Sequence, residues 1–385
     1  MARSPEEHLD AVRDVVGERS TTHVTVEDAV TGLFTLAYDV TASADAPAFD
    51  NSQMDGYAVP SAGGGTFTVG PTVPAGLDPD VLYPDGLNGS VAPVMTGAKI
   101  PRGTRAVIPV EACAPSKFVE EDATVRIPET SEGAFIRRTG DDVRRGGLIA
   151  SCGTTISPVL AGALSSQGIE RVRVHSPARI LLVSGGAEVG GAGAAQIRDA
   201  NTPMLKAMAH RYGIEVAATV STDDDPSRLS ARIAEAVDET LPDAVVTSGG
   251  ISHGKFEVVR QVFNDGWYGH VTQQPGGPQG LSRYRGIPVI SLPGNPISSL
   301  VSFRLYVAPV LGVAPDPLWM PSAEPVTGLA DKDQFLRGRI EDGYATPVGG
   351  AGSHLLTQSA TATCLLRVPA NTRLSKGDLI RVYPL

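Results

Sequence analysis

The string FDNSQMDGYAV at residues 49–59 gathers Asp50, Asn51, Ser52 and Asp55 within six residues, just ahead of an apolar run. Side chains of these types can hydrogen-bond their own backbone and lock a turn, or stand as a polar edge against a ligand. Residue chemistry alone leaves both readings open. Four further strings place glycine or polar residues where an apolar run ends. They are Ser184, Gly185 and Gly186 after 180–183, the aspartates 223–225 after 216–220, Ser248, Gly249 and Gly250 after 244–247, and Pro293, Gly294, Asn295 and Pro296 after 288–292. Glycine lets a backbone approach a ligand closely, and the N–H groups that open a helix can cradle an anion. Plainer readings compete. An acidic run before Pro226 also suits a solvated helix start, and Ser-Gly-Gly by itself is a turn.

The elements around these strings set their positions. From 177 to 311, near-continuous apolar runs alternate with helical patterns at 203–212, 227–240, 257–263 and 297–310. That alternation predicts a parallel sheet covered on both faces, with its ligand at the carboxyl ends of the strands, where each of the four strings falls. Ahead of it, Ser4, Pro5 and Glu7 spell a capped helix start, with Leu9, Val12 and Val16 on one face and Gly17 at its end. A second amphipathic segment at 26–38 follows Thr25 as its cap. Both read as packing or dimer helices. Short β-like runs at 66–69, 106–110 and 123–127 indicate a mostly β module. A helix at 155–167, capped by Ser157, leads into a strand at 171–174, and the runs 335–340, 364–368 and 379–383 suggest a small all-β tail. The Gly/Ala tract at 190–195 reads as a mobile loop tip.

Composition narrows the function. The chain has 385 residues, 42% hydrophobic and 19% charged, enough for two to four domains, since single cores rarely pass about 250–300 residues. A net charge of −10 argues against nucleic acid, whose binders carry a basic footprint. Cys113, Cys152 and Cys364 lie far apart with no CxxC or Cys/His spacing, which speaks against a disulfide framework or zinc site. No apolar stretch follows the N-terminus and no run approaches the roughly 20 apolar residues that span a bilayer. A soluble cytoplasmic protein is expected.

The string at 49–59 resembles the DNSAMDGYA signature of the molybdopterin molybdenumtransferases, the MoeA and gephyrin E-domain family. Further blocks follow in the family's order: MTGAKIP at 95–101, IRRTGDDV at 136–143, SGGIS at 248–252, LPGNPIS at 292–298, FLRG at 335–338 and GSH at 352–354. The resemblance implies a multidomain α/β fold. Its parts would be an elongated linker domain at 1–45 and 135–176, an inserted β-rich domain at 46–134, a molybdopterin-binding α/β domain at 177–316 and a C-terminal β-barrel-like domain at 317–385. It implies a homodimer whose active site lies between the α/β domain of one subunit and the linker and inserted domains of the other. An upstream molybdopterin adenylyltransferase would be a partner. The implied reaction takes molybdate and adenylylated molybdopterin, cleaves the phosphoanhydride and leaves molybdenum on the dithiolene with release of AMP.

The resemblance also assigns roles. Phosphoanhydride cleavage calls for Mg2+, which prefers a few carboxylates and water. Glu188, Asp224 and Glu257 would be its ligands, with Asp55 and Asp142 as further catalytic acids from across the cleft. Substrate would be held by Ser184, Gly185, Asn201, Ser248, Gly249, Gly250 and Ser252, by Pro293, Gly294, Asn295 and Pro296, and by Thr96, Arg337 and Ser353. The chain departs from the family at several of these places. SGGAEV at 184–189 stands for STGDEL, Asp199, Ala200 and Asn201 for DSN, and Glu257 for an aspartate. Three lysines of the family pattern are His270, Gln274 and Gly277 here. An ammonium beside an oxyanion contributes about 1.5–3 kcal/mol, so anion binding should weaken unless Arg283, Arg285 or Arg337 takes over. Three functions follow: an active transferase, a non-catalytic molybdopterin-binding scaffold on the same fold, and a nucleotide-pyrophosphate hydrolase. The tail domain and the 49–59 string count against the last.

Overall fold

The computed structural model describes residues 2–185, 197–222, 225–251 and 258–385. The chain forms two compact units, one of Met1–Ala37 with Val172–Leu385 and one of Tyr38–Arg171.

In the first unit, helix α1 (Pro5–Val16) opens with the expected reciprocal cap, Glu7 N donating to Ser4 Oγ and Ser4 N to Glu7 Oε2. Its Val12 is buried in the same cluster as Ile180, Val246, Ile290 and Leu305, so this helix packs into the core of the α/β layer. The segment expected as a helix over 26–38 is helical only at Val26–Thr31, with Thr25 capping. Gly32 leaves the helix in an extended conformation, and a Cβ there would lie 2.2 Å from the Phe34 ring. Beyond it Leu36 bridges to Val174 as extended chain.

The α/β layer follows as β1 (Arg179–Ser184), α2 (Asn201–Arg211), β2 (Glu215–Ser221), α3 (Pro226–Thr240), β3 (Ala244–Ser248), α4 (Val258–Val262), β4 (Gly266–His270), β5 (Pro278–Tyr284), β6 (Ile287–Leu292) and α5 (Pro296–Ser302). The six strands are ordered β2-β1-β3-β6-β5-β4. The first four are parallel, as the alternating pattern predicts. The last two, which lie outside the four runs read as strands, are antiparallel. This edge is hidden in the sequence because tight strand approach and aromatic rings demand glycines there. A Cβ on Gly266 would sit 2.3 Å from Leu281 O, and one on Gly280 would sit 2.4 Å from Tyr268 Cε1. Both faces of the sheet are covered. Ile180, Leu182, Val246 and Ile290 pack on Leu205, Ala209, Ile297 and Val301, and Leu181, Val183, Val245 and Val289 pack on Leu229, Ile233, Val259 and Phe263. The run expected as one helix at 297–310 continues from α5 through a π-turn, Phe303–Val307, into Ala308–Leu311. Pro309 offers no N–H to the Leu305 carbonyl, which suits a widened turn at this point.

The tail is β-rich as expected. Strands β7 (Asp333–Glu341), β8 (Cys364–Val368) and β9 (Leu379–Pro384) form an antiparallel sheet. Leu318–Pro321 closes one edge. At the other edge Gln273–Gln274, from the loop between β4 and β5, pairs in parallel with the start of β7.

The second unit is mostly β. Gly56–Val59 is the central strand between Ala92–Val94 and Ala106–Pro109, and Gly65–Thr68 pairs with Thr124–Ile127. Tyr57, Val59, Val91, Ile108 and Val125 are its core. Its helix, Pro158–Ser166, is capped by Ser157 as expected. Among the described residues, no helix is long and apolar enough to cross a membrane.

Candidate functional site

Register fixes the first feature of the site. Ser184 lies level with Ser221 on one side and Ser248 on the other, and Ser248 lies level with Leu292, so four parallel strands end in one row. The loops that leave this row meet. Gly185 (φ 113°), Gly249 (φ 95°) and Gly250 (φ 71°) occupy backbone conformations that L side chains rarely adopt. A Cβ on Gly249 would lie 3.3 Å from the Gly185 carbonyl oxygen and 3.6 Å from Gly294 Cα. Three turns are thus in van der Waals contact with no side chain between them.

Asn201, at the start of α2, ties these turns together. Its Nδ2 donates to Ser248 Oγ (2.9 Å) and to the Gly294 carbonyl (2.7 Å). Ser248 Oγ shares a hydrogen bond with Ser299 Oγ (2.9 Å), and Ser299 donates to the Pro293 carbonyl (2.5 Å). Ser299 was not foreseen; its signal was the second serine of Ser298-Ser299, in the first turn of the helix that follows the PGNP turn. Buried oxygens remain: Ser184 Oγ, Asn201 Oδ1 and Thr222 Oγ1 have no hydrogen-bond partner among the described residues. A buried polar atom left unpaired costs about 1–3 kcal/mol, so this row holds spare capacity to bind a polar ligand.

Asn295 sits at the N-cap position of α5 with its side-chain amide donating to Ser353 Oγ (3.1 Å), while Ile297 N donates to the Ser353 carbonyl (3.3 Å). The PGNP turn and the tail residue expected beside it are therefore in contact. Arg337 is buried. Its Nε donates to Ser359 Oγ (3.1 Å) and its Nη2 to the carbonyls of Gly350 and Gly352. Burial lowers its pKa from the usual arginine value. As placed, Arg337 braces the turn that presents Ser353, and its Nη1 is buried without a partner among the described residues.

The 270–278 loop leaves the sheet at the same edge, since Gly280 pairs with Ser291 at the end of β6. Neutral side chains hold its shape. Gln273 Nε2 donates to the Pro275 carbonyl (3.0 Å) and its Oε1 accepts from the Tyr306 hydroxyl. Gln279 Nε2 donates to the Gly276 carbonyl (2.8 Å) and to Ser302 Oγ (2.6 Å). Gln274 and His270 are exposed, and a Cβ on Gly277 would meet its nearest neighbours at an ordinary 3.5 Å. Two of the three arginines considered as replacements for the lysines lie elsewhere. Arg283 and Arg285 stand at the opposite end of the sheet, where Tyr284 pairs with Ile287 at the start of β6. Arg283 donates to the carbonyls of Gly286 and Val15, and Arg285 pairs with Asp238 (2.9 Å).

In the second unit, Asp55 Oδ1 accepts from Thr96 N (2.6 Å) and Thr96 Oγ1 (2.8 Å). Those bonds hold its exposed carboxyl below the usual carboxylate range. Asp50 is engaged by Arg138 and Thr139. Partial burial works to raise the Asp50 pKa, but the Thr139 amide, Arg138 and the Thr139 hydroxyl bring it below the usual value. Ser52 closes a local turn on Met54, and Asn51 donates to the Phe49 carbonyl. Within the string at 49–59, Asn51 and Ser52 make the local turn, and the exposed Asp55 carboxylate is held by Thr96. Asp142 is exposed, its backbone N–H bonded to Ala46.

Glu188, Asp224, Glu257 and Ser252, and the 190–195 tract, lie outside the described residues. Among the described residues, no group of three or more His, Cys, Asp or Glu side chains could hold a metal ion. Carboxylates are the donors that a hard cation such as magnesium prefers.

Comparison with known proteins covers the chain from end to end. Residues 3–168 match the family model for the MoeA N-terminal region (domain I and II), 180–312 match the one described as "Probable molybdopterin binding domain", and 320–385 match the MoeA C-terminal region (domain IV). A Mycobacterium tuberculosis protein named molybdopterin molybdenumtransferase 2 is 33% identical over 420 residues, with 100% of both chains covered. A Staphylococcus aureus molybdopterin molybdenumtransferase is 27% identical, covering 96% of this chain and 93% of its own. A crystal structure of the molybdopterin biosynthesis moeA protein from Pyrococcus horikoshii OT3 superposes with a TM-score of 0.80 at 22% identity, and both chains are fully covered. A second Pyrococcus moeA structure gives 0.74 at 25% identity, covering 100% of this chain and 99% of that one.

Proposed function

The chain belongs to the molybdopterin molybdenumtransferase family, and on that premise we propose that it acts in molybdenum cofactor biosynthesis as a transferase that inserts molybdenum from molybdate into adenylylated molybdopterin. The observation that carries this reading is the meeting of the Gly185, Gly249 and Gly294 turns around Asn201, with unpaired buried oxygens beside them. Backbone N–H groups of the 248–250 turn would receive the phosphate, and Asn201 would hold the turns at the spacing the pterin needs. Asn295 and Ser353 would present amide and hydroxyl groups to the substrate. Glu188, Asp224 and Glu257 would hold Mg2+, and Asp55 and Asp142 are proposed as further acidic groups of the reaction. Bound there, magnesium would neutralise charge on the phosphoanhydride as AMP departs. A homodimer in the cytoplasm, supplied by a molybdopterin adenylyltransferase, completes the proposal.

A second reading has its own observation. His270, Gln274 and Gly277 stand where the family resemblance leads one to expect lysines, and Arg283 and Arg285 are bonded at the far end of the sheet. A non-catalytic molybdopterin-binding scaffold fits that charge deficit. Incubation with adenylylated molybdopterin, magnesium and molybdate separates the two. The transferase releases AMP in a molybdate-dependent way; tight pterin binding with no AMP at any molybdate concentration would establish the scaffold.

A further inference from the structure

We propose that Arg367 positions the 270–278 loop by clamping Asp333 at the start of β7 to Glu6 at the start of α1, an inference that rests on reading this loop as part of the substrate site. The loop is held by two segments distant in sequence. On one side Arg3 N donates to the His270 carbonyl (3.0 Å) and Thr272 N to the Arg3 carbonyl (2.8 Å), so the residues ahead of α1 lie along the loop. On the other side Asp333 N donates to the Thr272 carbonyl (3.0 Å), while Gln273 and Gln274 pair with Asp333 and Gln334. Arg367 joins these two segments to each other. Its Nε donates to Asp333 Oδ2 (2.7 Å) with Nη2 on the same carboxylate, and its Nη1 and Nη2 fork onto the two oxygens of Glu6. Asp333 Oδ1 is fixed in turn by Ala370 N (3.0 Å). The result is a closed ring: loop, Asp333, Arg367, Glu6, the turn into α1, Arg3, and back to the loop.

The side chains suit the task. Arg367 and Asp333 are 14% and 15% exposed, so their attraction is screened less than that of a surface pair. A planar guanidinium can satisfy two carboxylates at once with fixed directions, which an ammonium cannot. The plainer alternative is that Arg367 staples the first helix to the tail and stabilises the whole unit evenly. The two differ in where the protein loosens when the clamp is removed.

The test uses full-length protein carrying Arg367→Met, Arg367→Lys or Glu6→Gln. Hydrogen exchange is read at the amides of Thr272, Gln273 and Asp333, with Leu182 and Val246 in the sheet as reference. Arg367→Met should speed exchange at the three loop-side amides by about ten-fold while the reference amides hold, with Arg367→Lys in between. The molybdate concentration for half-maximal AMP release should rise about five-fold or more, with kcat near the parent value. Unchanged loop exchange, or an equal rise throughout the sheet, overturns the inference. Localised loop exchange in a protein whose parent releases no AMP leaves the clamp standing and removes the transferase reading instead. If Arg367→Met does not fold, Glu6→Gln carries the same test from an exposed first turn, with the same overturning outcomes.

Discussion

The turns that end the parallel strands and the loop at 270–278 stand along one edge of the same sheet, yet they are built by different means. The first set is made of backbone: positive-φ glycines in mutual contact, laced by Asn201, Ser248 and Ser299. The second relies on side chains, with Gln273, Gln279 and Tyr306 holding a shape in which positions 270, 274 and 277 carry His, Gln and Gly. Shape and charge can therefore part company within one site. A neutral cradle keeps its geometry wherever the glycines and the asparagine persist. Affinity for a small oxyanion depends instead on cations, and here the braced loop does not supply lysine for that role. Pterin binding and molybdate use should then respond to different substitutions.

The largest effect should come from Gly250→Ala. The residue sits at φ 71° and its new Cβ would lie 2.6 Å from Val259 Cγ2. Strain of this kind costs on the order of 1–3 kcal/mol, so affinity for adenylylated molybdopterin, followed by pterin fluorescence, should fall between about ten- and a hundred-fold. Undiminished binding would break the idea of a backbone-built cradle. Asn201→Ala comes next. It removes donors to Ser248 and to the Gly294 carbonyl, and a loss of about ten-fold in pterin affinity, about 1.4 kcal/mol, is expected. The same titration, with molybdate half-saturation measured in parallel, shows whether the loss stays on the pterin side.

The reverse pattern is expected for Gln274→Lys combined with Gly277→Lys. Gln274 is exposed and Gly277 has ordinary clearance for a side chain at negative φ. The pair should lower the molybdate concentration for half-maximal turnover about ten-fold, about 1.4 kcal/mol, and leave pterin affinity within two-fold or so of the parent. A parent with normal turnover that gains nothing would show the missing charge to be replaced by other groups. An inert parent that gains activity would favour the scaffold reading of the native chain. The smallest effect concerns the brace behind the loop. His8 is buried between Trp267 and Tyr306, and burial, with Arg3 adding to it, lowers its pKa to about 3 from 6.5. The unfolded chain takes up the proton below pH 6.5 while the folded one does not, so stability falls as pH drops through that window. Thermal melts of His8→Phe should show a flatter pH dependence than the parent between about pH 6.5 and 4.

Much of this architecture was legible because the relevant patterns are local. Apolar runs ended by glycine announce strands and their ligand-facing turns, and Ser4, Thr25 and Ser157 announce helix starts that the structure contains. What escaped is non-local. The antiparallel edge carries glycines because a neighbouring strand and the Tyr268 ring lie against it, and no window of sequence displays that neighbour. Arg337 looks like an anion ligand in sequence. Its main partners are carbonyls thirteen and fifteen residues further on, so its bracing role emerges only once the tail folds. Arg283 and Arg285 looked like substitutes for lysine because they are near 270–278 in number, while the hairpin carries them to the other end of the sheet.

The two-residue strand Gln273–Gln274 belongs by sequence to the α/β layer and by pairing to the tail sheet. It covers the first two residues of β7, whose later residues 338–341 pair with Tyr344–Pro347, and open backbone groups there would otherwise invite foreign pairing. Inheritance is affected by this arrangement. A tail exchanged between relatives at the boundary near residue 317 would arrive without the strand its sheet was fitted to. The segment that travels as a working whole is the tail together with 270–278, so substitutions in the two should be tolerated as sets, and a chimaera that joins them from different parents should be the one that aggregates.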